Sequence, residues 1–526
     1  MGNETGRSPL EGYAPGMDTR RLLRTFATVL GTTGLLVSGC SKGGSTTSAS
    51  GSTPAAPAAA LQPYYAQHLN WRDCGVSGFQ CATMKAPLDY RKPDGGDIKL
   101  AVSRKKAIGP GKRIGSLLVN PGGPGGSAIG YLQSYAALGY PAPVRARYDM
   151  VAIDPRGVAR SEPVECLTGP QMDAYTQVDQ TPDDSAEVSE LGTAFEKFAD
   201  GCEQRSGTIL PHVSTVEAAR DMDILRALLG DEKLTYVGAS YGTFLGATYA
   251  ELFPGRTGRL VLDGAMDPSL PSLEMNRDQT AGFETAFQAF AEDCVKKSDC
   301  PLGTTSTADA ATRLKQLFAD LDAKPIPAGD SRKLGESLAT TGVIAAMYDE
   351  GTWPQLRSAL AGARAGDGSG LLALSDSYYE RKPNGTYANL MFANAAVNCL
   401  DTPPAFTGPD AVEQAIPGFE KASPVFGKAF AWAALNCAHW PVAPTGTAHR
   451  ITAKGAPPIV VVGTTRDPAT PYKWAQSLAA QLSSGRLLTY EGDGHTAYGR
   501  GSHCIDTAIN TYLLDGTPPA EGTKCS

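Results

Sequence analysis

Leu234-Thr-Tyr-Val-Gly238-Ala-Ser240-Tyr-Gly242-Thr-Phe-Leu-Gly-Ala-Thr-Tyr-Ala-Glu-Leu252 decides how this chain folds. Its opening, Leu234–Val237, is short, β-favouring and mostly apolar, the mark of a strand covered on both faces. Thr243–Leu252 is rich in Ala and Leu and long enough for three helical turns. Between them lies Gly-x-Ser-x-Gly, which in this setting predicts a sharp strand-to-helix turn that projects the Ser240 hydroxyl. Small residues at 238 and 242 suit such a turn, because it brings backbone and helix very close. Gly-x-Ser-x-Gly arises often by chance; a strand before it and a helix after it make it informative.

Working outward, the same strand and helix signals alternate. Short β-rich runs occur at Ile98–Val102, Ser116–Val119, Met150–Ile153, Leu260–Leu262, Ile459–Val462 and Leu487–Tyr490. Runs apolar at successive positions imply strands buried on both faces, hence a largely parallel sheet. A helix is predicted over Val216–Leu229, opened by a Ser214-x-x-Glu217 capping box and stopped at Gly230. The rhythm breaks near Pro268 and resumes near Pro458. The stretch 269–455 is expected to be a mostly helical cap inserted between two parts of one α/β core, 64–268 and 456–526.

A serine hydroxyl needs a base, and the base needs a carboxylate to orient it. On a strand–turn–helix serine the order along the chain is Ser, then acid, then His. His495 follows the strand Leu487–Tyr490 on a glycine-rich loop and is the expected base. His503 opens a terminal helix and is expected to be a surface residue. Asp467, on the loop after Ile459–Val462, is the expected acid; Asp263, at the end of Leu260–Leu262, is its rival. Asp493 lies too near His495 in sequence to orient its ring and is expected in a turn. The glycine-rich turn Asn120-Pro-Gly-Gly-Pro-Gly-Gly-Ser127 follows a strand and can aim backbone N–H groups at a developing oxyanion. Gly123 and Tyr241 are the expected donors. Gly123-x-Gly125-x-x-Ala128 is also a loose dinucleotide fingerprint, but Pro121 and Pro124 fit that turn poorly. No C-x-x-C or H-E-x-x-H occurs, so neither a metal nor an organic cofactor is expected.

The 526 residues carry a net charge of −7, which gives no global basic footprint for nucleic acid. At the N-terminus, Arg20, Arg21 and Arg24 precede an apolar run, Phe26–Val37, too short to span a bilayer. Such a run reads as an export signal. Leu36-Val-Ser-Gly-Cys40 ends it in the manner of a bacterial lipobox, so residues 1–40 are expected to be a lipoprotein signal with Cys40 lipidated. An ordinary signal peptide is the plainer alternative. Residues 41–63, rich in Ser, Gly, Ala and Pro, are expected to tether the enzyme to the outer face of the membrane. Of 11 cysteines, ten remain besides Cys40. Outside the cell these can pair. Proximity in sequence suggests Cys74–Cys81, Cys294–Cys300 and Cys504–Cys525, with Cys166–Cys202 and Cys399–Cys437 completing the set.

Taken together, Asn120–Ser127, Asp154-Pro-Arg-Gly157, Gly238–Gly242, Leu262-Asp-Gly264, Cys437-Ala-His-Trp-Pro441, Asp467 and His495 resemble the secreted α/β-hydrolase peptidases of actinobacteria. This is the tripeptidyl aminopeptidase group related to prolyl iminopeptidases, and the resemblance spans nearly the whole mature chain. It implies nucleophile Ser240, acid Asp467, base His495 and oxyanion donors Gly123 and Tyr241. It also implies a loop at Asp154–Gly157 braced by a buried arginine–carboxylate pair. Two departures bear on the pocket. The family often shows Gly-x-Gly after the arginine turn and Gly-His-Gly around the base, where this chain has Gly157-Val-Ala159 and Gly494-His495-Thr496. The expected activity is release of short peptides, tripeptides among them, from free N-termini. A carboxylesterase on the same residues and a non-catalytic surface lipoprotein are the alternatives. An exopeptidase also needs a cap carboxylate for the substrate ammonium; Asp401 and Glu350 are two of many candidates.

Overall fold

The computed structural model describes residues 58–526. The export signal, Cys40 and the tether as far as residue 57 lie outside the described residues. The end of the expected tether is already folded: Ala59–Leu61 and Gln62–Tyr65 form consecutive helical turns. They are held because Tyr64 is buried and its hydroxyl donates to Asp97 Oδ1 at 2.7 Å.

Ten strands make one sheet: β1 (Arg72–Asp73), β2 (Gln80–Pro87), β3 (Asp97–Lys105), β4 (Gly115–Asn120), β5 (Tyr148–Ile153), β6 (Leu234–Ala239), β7 (Thr257–Asp263), β8 (Ile459–Arg466), β9 (Gly485–Asp493) and β10 (Thr523–Cys525). Their spatial order is β1-β2-β3-β5-β4-β6-β7-β8-β9-β10. β1, β2 and β3 are antiparallel to their neighbours, and every pair from β5 to β10 is parallel. All seven runs expected from sequence are in this sheet. β2 was not foreseen: its buried Ala82, Met84 and Ala86 alternate with polar residues and carry little β preference.

Successive residues of each central strand feed opposite faces. Leu118, Tyr236, Leu260 and Val461 pack in one buried cluster, together with the helices Thr215–Leu228, Tyr241–Leu252 and Tyr472–Gln481. Val119, Val237, Val261 and Val460 pack in another, beneath His503–Asp515. This two-faced burial explains why these strands are apolar without a break, and it defines an α/β-hydrolase sheet.

Between β7 and β8 the chain runs through eight helices, from Ser272–Val295 to Gly427–Ala433, and one two-stranded hairpin, Ile326–Pro327 with Lys333–Leu334. Most of this region has its own core, built on Phe283, Phe287, Phe290, Leu314, Leu338 and Leu360. The helix Ser185–Ser206, which the sequence reading placed in the first part of the core, joins it through Leu191 and Phe195 against Val412, Phe419 and Trp432. Conversely, Leu390–Asp401 packs with the sheet through Phe392, Ala396 and Leu400. All five disulfides pair as expected, three between neighbours in sequence and two, Cys166–Cys202 and Cys399–Cys437, across longer separations. Cys166–Cys202 clips Ser185–Ser206 to the loop beyond Arg156, and Cys399–Cys437 clips Leu390–Asp401 to the end of the cap.

Candidate active site

Ser240 stands between β6 and Tyr241–Leu252 with φ 56° and ψ −126°, a backbone conformation that L residues rarely adopt. Strain of this kind persists only where the surroundings enforce it. Here the Ser240 N–H donates to Asp263 O at 2.9 Å, and Thr243 N–H closes back on Ser240 O at 2.8 Å. A Cβ on Gly238 would sit 2.3 Å from Gly242 O, and one on Gly242 would sit 2.9 Å from Asn120 O, so both glycines are required by the turn.

The turn after β4 lies against this elbow. Gly122 makes the contact, since a Cβ there would fall 2.4 Å from Ala239 O and 2.8 Å from Tyr241 N. Its N–H is committed to Asn120 Oδ1 at 2.8 Å. The next N–H, that of Gly123, has no acceptor among the described residues, and neither has that of Tyr241. Asp154 supports this turn from beneath: fully buried, it accepts from Ile129 N–H and Ser127 Oγ, both at 2.9 Å.

His495 and Asp467 meet as the sequence suggested. His495 Nδ1 is 2.9 Å from both carboxylate oxygens of Asp467. Asp467 is buried and receives backbone N–H groups from Ala469 (2.9 Å), Thr470 (2.8 Å) and Thr496 (3.2 Å). Its rival Asp263 takes the N–H groups of Ala497 and Tyr498 instead, anchoring the loop just past the base. Burial raises the Asp263 carboxyl above its ordinary range. Asp493 pairs with Arg466, and His503 is an exposed residue opening the last helix. Ser240 Oγ has no hydrogen-bond partner among the described residues, a looseness common where a catalytic contact tightens only around substrate.

Sequence reasoning missed the cap's hold on the base. His495 N–H donates to Tyr348 O at 2.9 Å, and the two rings meet edge-on with centroids 5.5 Å apart. Arg500, which donates to His495 O, also pairs with Asp349 at 3.0 Å. Nothing in the sequence marks Tyr348, because its carbonyl rather than its side chain does this.

The two departures from the expected pattern fall in a backbone conformation that favours glycine. Ala159 and Thr496 stand where the family often has glycine, and both take positive φ, 46° and 69°. The expected brace at Asp154–Gly157 is present: Arg156, fully buried, grips Asp221 through two nitrogens at 2.7 and 2.8 Å. Glu217 also reaches Arg156, at 3.3 Å, so the expected capping box is half made. Ser214 caps the helix, while the Glu217 side chain turns inward, where burial pushes its carboxyl up to about 7. Of the two cap acids considered for an ammonium, Asp401 is buried against Thr215, whose Oγ1 also meets the Tyr241 hydroxyl. Burial pushes Asp401 up to about 7 as well. Glu350 lines a cavity of about 570 Å³ beside His495 that Arg500 shares.

A mostly parallel sheet whose carboxyl edge gathers an elbow serine and a histidine–carboxylate pair defines an α/β-hydrolase-fold serine hydrolase. The comparisons carry this to a family. Residues 423–525 match the family model described as TAP-like protein. The chain is 39% identical over 486 residues to "Serine protease Hip1" of Mycobacterium tuberculosis, covering 88% of this chain and 92% of that protein. It is 38% identical over 491 residues to "Carboxylesterase B" of the same species, covering 90% and 92%. It is 33% identical over 475 residues to "Tripeptidyl aminopeptidase" of Streptomyces coelicolor, covering 87% and 86%. The chain belongs to this tripeptidyl aminopeptidase-like family of α/β-hydrolases and is a serine hydrolase.

Proposed function

We propose that the protein is an aminopeptidase that releases short peptides, tripeptides among them, from free N-termini. The observation that carries the chemistry is the Asp467–His495 pair, buried at the carboxylate end, with His495 lining the same cavity as Ala239, the residue before Ser240. His495 Nε2 takes the Ser240 proton as Oγ bonds to the scissile carbonyl carbon. The oxyanion settles on the N–H groups of Gly123 and Tyr241. Collapse breaks the C–N bond, and His495 returns its proton to the leaving amine. Water then gives a proton to His495 and attacks the ester; the short peptide acid leaves and Ser240 recovers its proton. No cofactor is needed for any of these steps.

Peptide rather than ester specificity is supported by two of the three relatives above, one named a serine protease and one a tripeptidyl aminopeptidase. The carboxylesterase relative keeps an esterase reading open to test. The test compares a free tripeptide anilide, its N-acetylated twin and a nitrophenyl ester. Turnover confined to the free-amine peptide is expected. Equal cleavage of the acetylated peptide would make the enzyme an endopeptidase, and turnover of the ester alone would make it an esterase.

We propose further that the enzyme is exported and held at the outer membrane face by a lipid on Cys40, on the strength of the lipobox pattern and the tether that follows. Labelled palmitate is expected to enter the protein and to be lost in Cys40→Ala. Labelling that survives this change would remove the anchor from Cys40.

A further inference from the structure

A second cavity, of about 210 Å³, lies within the helical layer. One end is bounded by residues whose neighbours hold the reacting groups in place. Tyr348, whose carbonyl holds the His495 N–H, lines it. So does Met391, whose helix reaches the glycine turn through Asn394 Nδ2, which donates to Pro124 O at 3.1 Å. Glu336 and Thr181 line it too, and behind them the oxygens of Asp179, Asp322 and Glu336 come within 4.8 Å of one another. Thr181 Oγ1 is shared between Glu336 (2.6 Å) and Asp179 (3.0 Å). Among the described residues none of the three acids has an ion pair, and Lys428 nearby is engaged by Asp183. Burial raises all three carboxyls, Glu336 to about 7. Carboxyls gathered in this way either hold a proton or gain from a cation placed among them.

Thr340 is the independent sign that a ligand belongs here. It lies one turn beyond Glu336 on the same helix face, lines the cavity, and is only 7% exposed. Helical threonines commonly back-bond to the preceding turn, as Thr341 does to Ser337 O at 2.9 Å. Thr340 Oγ1 forgoes this and is buried with no partner. A buried hydroxyl left so carries an uncompensated desolvation cost unless something in the cavity meets it.

We propose that Glu336 and Thr340 bind the α-ammonium of the substrate's free N-terminus, with Asp179 and Asp322 supplying the negative potential around it. This rests on the aminopeptidase reading and gives it a specificity site. The ammonium donates to the Glu336 carboxylate and to Thr340 Oγ1, and an acetylated terminus would bury the carboxylate without a counter-charge. The helix Glu336–Met347, which leads from this end of the cavity to Tyr348, is about 18 Å long. With Thr340 one turn nearer, roughly 12–18 Å separates amine from base, the span of about three to five extended residues. Glu350 is a poorer candidate, because Arg500 lines its cavity and offsets its charge.

The test uses the full disulfide-bonded chain with active sites counted by fluorophosphonate titration. It reads the ratio of kcat/KM for a free tripeptide anilide to that for its N-acetylated twin. Glu336→Gln is expected to lower this ratio at least tenfold, mainly through KM, the size expected for losing a hydrogen-bonded charge partner. Thr340→Val is expected to lower it about threefold or more. An unchanged ratio in Glu336→Gln, or a collapse in Glu350→Gln instead, overturns the site and leaves the aminopeptidase reading standing. A wild-type ratio near one overturns both. If Glu336→Gln yields no titratable sites, Thr340→Val decides, and a wild-type ratio there overturns the proposal. Calcium binding to the wild type that Glu336→Gln abolishes, with the free-amine preference intact, would make the cluster a metal site and overturn it as well.

Discussion

Ser240→Ala is expected to lower kcat by about 10⁵–10⁶-fold on every substrate the wild type turns over, with KM little changed. The size follows from the mechanism: without Oγ no acyl-enzyme forms, and His495 and Asp467 have no nucleophile to activate. What survives is the rate that positioning and the Gly123 and Tyr241 N–H groups give to direct attack by water, of order 10³–10⁴ over the uncatalysed reaction. Folding is expected to persist. The serine meets Asp263 and Thr243 only through its own main-chain atoms, and its side chain bonds to nothing among the described residues. Alanine is also less costly at positive φ than a β-branched residue. Single-turnover kinetics on the purified variant, with circular dichroism to confirm the fold, check this. Residual kcat within tenfold of wild type would take the nucleophile away from Ser240.

The elbow was legible because its constraint is local. A turn so tight that a Cβ on Gly238 would fall 2.3 Å from Gly242 O writes itself into nearby positions. The central strands were legible for a related reason, since two buried faces leave no polar position to disguise them. β2 has one weakly apolar face of Ala82, Met84 and Ala86 and so left no comparable trace. Glu217 shows a local signal overridden by a distant one. Its spacing from Ser214 fits a capping box, but buried Arg156 offers a charge partner that the helix terminus cannot match. The cap's contributions were illegible for a third reason. Asp179, Asp322 and Glu336 belong to separate elements that tertiary packing alone brings together, and Tyr348 acts through a carbonyl that every residue possesses.

Gly123 illustrates how far a motif reaches. The sequence showed that the glycine-rich turn Asn120–Ser127 can aim a backbone N–H at an oxyanion, and named Gly123 as the donor. The structure divides the work: Gly122 supplies the space, with φ 90° and its N–H bound to Asn120, while the Gly123 N–H stays uncommitted. The pattern NPGGPGG contains both glycines and cannot by itself say which one touches and which one donates.

Between the two acids that the sequence left in contention, the strand ends look alike, and the hydrogen-bond donors separate them. Asp467→Asn is expected to cost about 10⁴-fold in kcat, and the reason lies in its neighbours. The N–H groups of Ala469 and Thr470 both point at Oδ1, so an asparagine must keep its oxygen there. Its NH₂ then replaces Oδ2, facing the Thr496 N–H and His495 Nδ1. Nδ1 stands 2.9 Å from Oδ1 as well as Oδ2, but Oδ1 already accepts the Ala469 and Thr470 N–H groups, so the amide donor favours an accepting Nδ1 and moves the imidazole proton to Nε2. In that tautomer His495 cannot take the Ser240 proton, although the ring keeps its place. Asp263→Asn should act differently, because Asp263 holds the Ala497 and Tyr498 N–H groups rather than the ring. Loosening the loop lowers stability and activity together, and by far less in kcat. The pH profile discriminates further. Hydroxide can serve as the base in Asp467→Asn, so its kcat is expected to climb with pH above 9, where the wild type is flat. A profile for Asp467→Asn that parallels the wild type, with kcat within tenfold, would show that the carboxylate at 467 does not set the tautomer.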